Sequence, residues 1–139
     1  MFNALVLNQE DKRTLAAIEQ IEESQLPEGD VLVAVDYSSL NYKDGLAITG
    51  KGKIIRNFPM VPGIDMAGTV LSSDDARYKE GDDVVLTGWG VGENHWGGMA
   101  EKAKLKADWL VPLPKGLDSK KAMMVGTAGF TAMLCVQAI

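Results

Sequence analysis

Ser38-Ser39-Leu40-Asn41-Tyr42-Lys43-Asp44-Gly45 and, after a glycine- and lysine-rich loop, Phe58-Pro59-Met60-Val61-Pro62-Gly63-Ile64-Asp65-Met66-Ala67-Gly68 are the segments whose reading decides the fold. The first closes a strongly alternating apolar segment. The second is held extended around Met60-Val61 by Pro59 and Pro62. Together they predict turns at the edge of a barrel-like β scaffold that deliver Asn41, Tyr42, Asp44 and Asp65. Polar groups on turns carried by a rigid scaffold are where chemistry usually sits.

Working outward, Val31-Leu32-Val33-Ala34-Val35-Asp36-Tyr37 is β-branched at alternate positions and reads as a strand that starts after the turn Pro27-Glu28-Gly29-Asp30. Phe2–Leu7 reads as a first strand. Thr14–Glu23 is ambiguous, because Leu15, Ile18 and Glu22 have helical spacing in too short a segment. Tyr42, Leu46 and Ile48 predict one short helical turn ended by Gly50. Further strands are expected at Ile64–Leu71, Asp83–Thr87, Met99–Leu105 and Trp109–Val111. Many short strands with frequent turn chemistry give a mainly β domain with short helices, a barrel or a sandwich.

The last stretch differs. Asp118 is an N-cap candidate, and a second helical pattern starts at Thr127. From Ala122 to Ile139 there is no charged residue. Gly126, Thr127, Gly129, Thr131 and Gln137 make this a poor membrane span, so a buried helix is expected. An apolar helix must cover every face, and one small barrel cannot do so. The expectation is therefore a domain over residues 1–125, with residues 126–139 leading towards a second body of protein.

Composition narrows the function classes. With 46% hydrophobic and 24% charged residues, the 139-residue chain is an ordinary globular domain. A net charge of -5 gives no reason to expect nucleic acid or an anionic membrane as partner. The single Cys135 excludes an internal disulfide and fits a reducing compartment. The opening Met1-Phe2-Asn3-Ala4-Leu5-Val6-Leu7 lacks the basic flank of a signal peptide, so a cytoplasmic location is expected. A catalytic zinc needs about three Cys, His, Asp or Glu ligands, and the chain has one Cys and one His. Gly50-Lys51-Gly52 and Gly90-Val91-Gly92 begin a dinucleotide fingerprint but lack its third glycine and its strand-to-helix context.

Asn41-Tyr42-x-Asp44 followed by Pro62-Gly63-x-Asp65-x-x-Gly68 resembles the catalytic domain of the medium-chain dehydrogenase/reductase superfamily. The nearest resemblance is to its zinc-free, quinone-oxidoreductase-like branch, in the acrylyl-CoA reductase subgroup. Leu86-Thr87-Gly88-Trp89-Gly90-Val91-Gly92-Glu93-Asn94-His95-Trp96-Gly97-Gly98 and Gly126-Thr127-Ala128-Gly129-Phe130-Thr131-Ala132 carry the same resemblance, which spans essentially the whole chain. It implies a GroES-like, partly open β-barrel whose last helix leads into a Rossmann domain absent here, and it implies a strand at Thr14–Glu23.

The resemblance also implies function. Asn41 stands where zinc-dependent relatives carry a cysteine, and Ile64 where they carry a histidine, so no metal is expected. It implies reduction of an α,β-unsaturated acyl-CoA by NADPH in a protein that is homodimeric when complete. Asn41 and Tyr42 would face cofactor and substrate, and Thr127 would touch the nicotinamide half or simply cap its helix. Asp44 would orient Asn41 or Tyr42, or answer the N–H groups of its own helix. Asp65, where zinc relatives carry a carboxylate that supports the metal site, would hydrogen-bond its turn or take part in catalysis. Lone His95 would pack a tryptophan or act as a general acid. The Trp89–Gly98 loop would line an acyl pocket, Lys51, Lys53 and Arg56 would meet phosphates of a CoA or NADPH or simply form a solvated basic loop, and Met123, Met124, Met133 and Cys135 would be packed. A quinone reductase on the same scaffold and a stand-alone interaction module are the alternatives.

Overall fold

A computed structural model describes residues 1–139. The elements run β1 Phe2–Glu10, β2 Arg13–Ile21, β3 Val31–Ser38, α1 Tyr42–Thr49, β4 Asp65–Ser73, β5 Asp83–Thr87, β6 Lys102–Leu105, β7 Val111–Pro112 and α2 Ser119–Gln137. β1 and β2 form an antiparallel hairpin, and the other strands form a five-stranded sheet in the order β6-β3-β4-β5-β7. The two sheets do not close into one continuous ladder. Isolated bridges at Ala4–Ala100 and Leu7–Met60 stitch the hairpin to the rest. The architecture is the expected mainly β, partly open barrel.

β3 alternates as its sequence demands, with Val31 and Val33 fully buried. They pack with Met66, Val70, Val84, Leu86, Ala103 and Leu105 in the main core. Phe2, Ala4 and Val6 point from β1 into a second cluster with Ile21 and Val61. β4 is buried on both faces at Asp65, Met66, Ala67 and Gly68. Met66 faces the barrel core, whereas Ala67 packs against Ala122 and Met123 of α2. β4 is thus the one strand with protein on both sides, and Asp65 stands at its start.

Several boundaries differ from the sequence reading for physical reasons. Within Thr14–Glu23 the strand β2 runs only to Ile21, ahead of a 3₁₀ turn at Glu23–Gln25; its residues up to Gln20 are almost all solvent-facing, with Ile18 77% exposed, so no period-2 signal marks it. Met99–Glu101 does not join β6; Leu5 donates to the Met99 carbonyl and Glu101 to the Asn3 carbonyl, which ties this segment to β1. Trp109 lies in a 3₁₀ turn, Ala107–Trp109, ahead of β7. α1 is longer than one turn and ends, as expected, at Gly50 with φ 66°.

The apolar C-terminal helix corrects an expectation. Asp118 does cap it, accepting from the Lys121 N–H at 2.8 Å. Gly126, at φ 48° and ψ -162°, breaks α2 into two helical halves. Of α2, only Ala122, Met123 and Gly126 are buried. Met124, in the first half, is exposed, as are Phe130, Met133, Cys135 and Val136 in the second, because the barrel covers only the Ala122–Met123 side of the first half and no residue of the second half is buried. No helix is long and apolar enough to cross a membrane.

Two glycines test this packing. A Cβ at Gly68 would lie 2.0 Å from the Ala34 carbonyl oxygen, whereas one at Gly45, inside α1, would meet nothing within 4 Å. Gly68→Ala is expected to destabilise the protein by at least ~3 kcal/mol. Gly45→Ala is expected to stabilise it by about 0.5–1 kcal/mol through the unfolded chain. Urea unfolding of both variants measures this, and equal effects would contradict the packing described.

Candidate active site

The site is built on the Asp65 carboxylate, which is fully buried. Its Oδ2 accepts from Ser39 Oγ at 2.5 Å, from Asn41 Nδ2 at 2.9 Å and from the Thr127 N–H at 2.9 Å. Its Oδ1 accepts from Thr127 Oγ1 at 2.6 Å. One side chain at the head of β4 therefore joins the turn after β3 to the break in α2. Gly126 is required there: a Cβ on it would stand 2.9 Å from both Asp65 Oδ2 and Ser39 Oγ.

Asp44 is the second buried carboxylate, 1% exposed. Its Oδ2 accepts from the Asn41 N–H at 2.8 Å, the capping interaction of an N3 acid. Its Oδ1 accepts from the N–H groups of Gly63 at 3.2 Å and Ile64 at 3.1 Å. Both oxygens thus face backbone, and Asp44 fixes the start of α1 against the Gly63-Ile64 loop.

These anchors shape a cleft of ≈ 540 Å³ lined by Asn41, Tyr42, Lys43, Ile64, Gly88, Gly90, Val91, Thr127, Ala128 and Thr131. Three of the residues expected from the sequence, Asn41, Tyr42 and Thr127, meet there; Asp44 and Asp65 lie behind the wall. Asn41 Nδ2 has two hydrogens, and both are used, towards Asp65 and towards Ser39 Oγ at 3.2 Å. Tyr42 is 84% exposed, so its hydroxyl remains the free donor of the turn. Thr127 does not cap its helix through its hydroxyl, which donates to Asp65 instead. The hydroxyl keeps lone pairs directed elsewhere.

The remaining candidates separate. Gly88, Gly90 and Val91 bring the tryptophan loop to the cleft, but Trp89 stands out at 63% exposure. His95 bonds the Lys104 carbonyl through Nε2 at 2.7 Å and meets Trp109 edge-on at 5.0 Å, outside the cleft. Burial pushes its pKa below the usual histidine value. No three His, Cys, Asp or Glu side chains converge anywhere. Sequence reading did not single out Ser39 or Lys43. Ser39 sits in the quoted motif, but nothing in its spacing marks it as a donor to a residue 26 positions later.

Two outcomes follow from this geometry. Asp65→Ala strands four hydrogen bonds to one buried group and is expected to cost about 3 kcal/mol or more, against about 1–2 kcal/mol for Ser39→Ala. Thermal unfolding that ranks them the other way would contradict the anchor. For His95, a folded pKa below the unfolded value means that the unfolded chain binds more protons between the two. Its contribution to stability is present above about pH 6.5 and is lost as pH falls through that window towards the folded pKa. His95→Gln is expected to flatten the stability profile as pH falls below the ordinary histidine range, and an unchanged slope would refute this.

Comparison with known proteins places the chain. Residues 27–115 match the Alcohol dehydrogenase GroES-like domain family. The chain is 68% identical over 136 residues to a protein of Escherichia coli strain K12 named "Probable acrylyl-CoA reductase AcuI", covering 98% of this chain and 42% of that protein. It is 60% identical to "Acrylyl-CoA reductase AcuI" of Ruegeria pomeroyi, covering 100% of this chain and 43% of that protein. The crystal structure of the YhdH oxidoreductase from Salmonella enterica in complex with NADP superposes with a TM-score of 0.95 at 68% identity, over 98% of this chain and 42% of that one. The chain thus spans less than half the length of these relatives. With the matched segment containing β3, α1, β4, β5 and both buried carboxylates, the chain belongs to the alcohol dehydrogenase GroES-like domain family.

Proposed function

We propose that this chain is the catalytic-domain part of an NADPH-dependent reductase of α,β-unsaturated acyl-CoA thioesters, with acrylyl-CoA reduced to propionyl-CoA. The observation that carries the reading is the convergence of Asn41, Tyr42 and Thr127 on one cleft in a chain 68% identical to a relative named for acrylyl-CoA reduction. In this reading residues 126–139 begin the helix that leads into a nucleotide-binding domain, and the complete protein is a cytoplasmic homodimer.

The residues fit the nicotinamide end of such a cofactor. Ile64 and Val91 offer an apolar wall, Gly88 and Gly90 leave it open, and the Thr127 hydroxyl can accept from an amide. Bound NADPH supplies the hydride that the thioester accepts at its β-carbon. The charge that then builds on the thioester oxygen calls for a placed hydrogen-bond donor. Tyr42 is that donor, since the Asn41 amide hydrogens are already committed. Asn41 and Asp44 act as positioning residues, the first by fixing the turn to Asp65 and the second by fixing it to Gly63 and Ile64. An acid must also protonate the α-carbon, and Tyr42 is the free hydroxyl closest in role to that task.

NADPH oxidation by the complete protein, followed with acrylyl-CoA and separately with a benzoquinone, tests the reading. Acrylyl-CoA is expected to turn over, and Tyr42→Phe to lower kcat on the order of 100-fold. Turnover of the quinone alone would assign a quinone reductase instead. Residues 1–139 by themselves are expected to oxidise no NADPH, and detectable turnover would contradict the assignment of the cofactor to a further domain.

A further inference from the structure

We propose that Lys43 is an exchangeable receptor for a ligand phosphate at the rim of the cleft, with Glu93 as its resting counter-ion. The inference rests on the acyl-CoA reading, because that reading brings phosphate-bearing ligands to this cleft. Lys43 is the one charged side chain that lines the cleft. Its Nζ lies 3.1 Å from Glu93 Oε2, and the two side chains are 46% and 23% exposed.

The pair joins two cleft walls, the start of α1 and the Gly88–Gly97 segment. Gly90, at φ 72°, turns the backbone beside Glu93 and also lines the cleft. The basic loop adjoins it, since the Arg56 N–H reaches the Glu93 carbonyl at 3.5 Å. Lys51, Lys53 and Arg56 are all exposed on that loop. A half-exposed lysine–carboxylate pair holds its partners weakly, whereas an ammonium recognises phosphate as a compact point charge. A phosphate carrying more than one negative charge therefore displaces a single carboxylate, and Glu93 keeps the ammonium positioned in the interval.

Two roles for the pair give opposite signs. If Lys43–Glu93 only fastened the two walls, removing either partner would weaken ligand binding alike. As a receptor and its competitor, Lys43→Met weakens binding while Glu93→Gln strengthens it.

The experiment is calorimetric titration of the complete protein with coenzyme A and separately with NADPH, at low and at moderate salt, with acrylyl-CoA turnover measured on the wild type. Lys43→Met is expected to lower coenzyme A affinity roughly fivefold, Glu93→Gln to raise it about twofold, and Lys43→Arg to retain it, with differences that shrink as salt rises. The same opposed pattern with NADPH instead would assign the phosphate to the nucleotide and sustain the receptor role. Shifts in the same direction, or none for either ligand, would overturn it, even in an enzyme that reduces acrylyl-CoA. A wild type that turns over no acrylyl-CoA would sink the proposed function alone, and the NADPH titration would then decide the role of Lys43.

Discussion

The structure depends on one buried charge. Placing the Asp65 carboxylate out of water costs several kcal/mol unless donors surround it, and it is surrounded, by Ser39, Asn41 and both the N–H and the hydroxyl of Thr127. Those donors come from the turn after β3 and from the break in α2, while the carboxylate belongs to β4, the strand with neighbours on both faces. Separating the segments would leave the charge unpaired. The carboxylate therefore fixes their mutual positions more tightly than the small apolar contact of Ala67 with Ala122 and Met123 could.

Asp44 complements it with a different task. Asp65 gathers side chains and the start of a helix; Asp44 gathers backbone N–H groups from α1 and from Gly63-Ile64. Neither lines the cleft. The two acids spend their charge on the walls, and the cleft is left with a free tyrosine hydroxyl, one ammonium, the uncharged polar groups of Asn41, Thr127 and Thr131, and apolar or glycine surface. Such a division suits chemistry in which the substrate itself becomes negative, since a carboxylate facing the reacting oxygen would oppose that charge.

Much of this was legible in the sequence, wherever a residue type has one dominant local use. Val31, Val33 and Val35 announce β3, Gly50 ends α1 and Asp118 caps α2, each through short-range physics. The motif residues Asn41, Tyr42 and Thr127 were marked by resemblance and do meet. What stayed hidden depends on distant partners or on the absence of burial. β2 shows its apolar Leu15 and Ile18 to solvent, so its pattern carries no strand period. The choice of Trp109 rather than Trp96 as the neighbour of His95 is set by how two loops fold over each other. Ser39 and Lys43 acquire their roles only when Asp65 and Glu93 arrive from 26 and 50 residues away.

The break at Gly126 has a kinetic side. The second half of α2 begins at Thr127, whose N–H is answered by a carboxylate 62 residues earlier in the chain. Helix ends are usually satisfied by an immediate neighbour, at almost no cost in chain entropy. Closing so long a loop instead costs about 3 kcal/mol more than a local cap would, by the logarithmic dependence on loop length. The start of that half-helix consequently gains its cap only after β4 has taken its place between β3 and β5, which makes its docking a late and cooperative event rather than a nucleus.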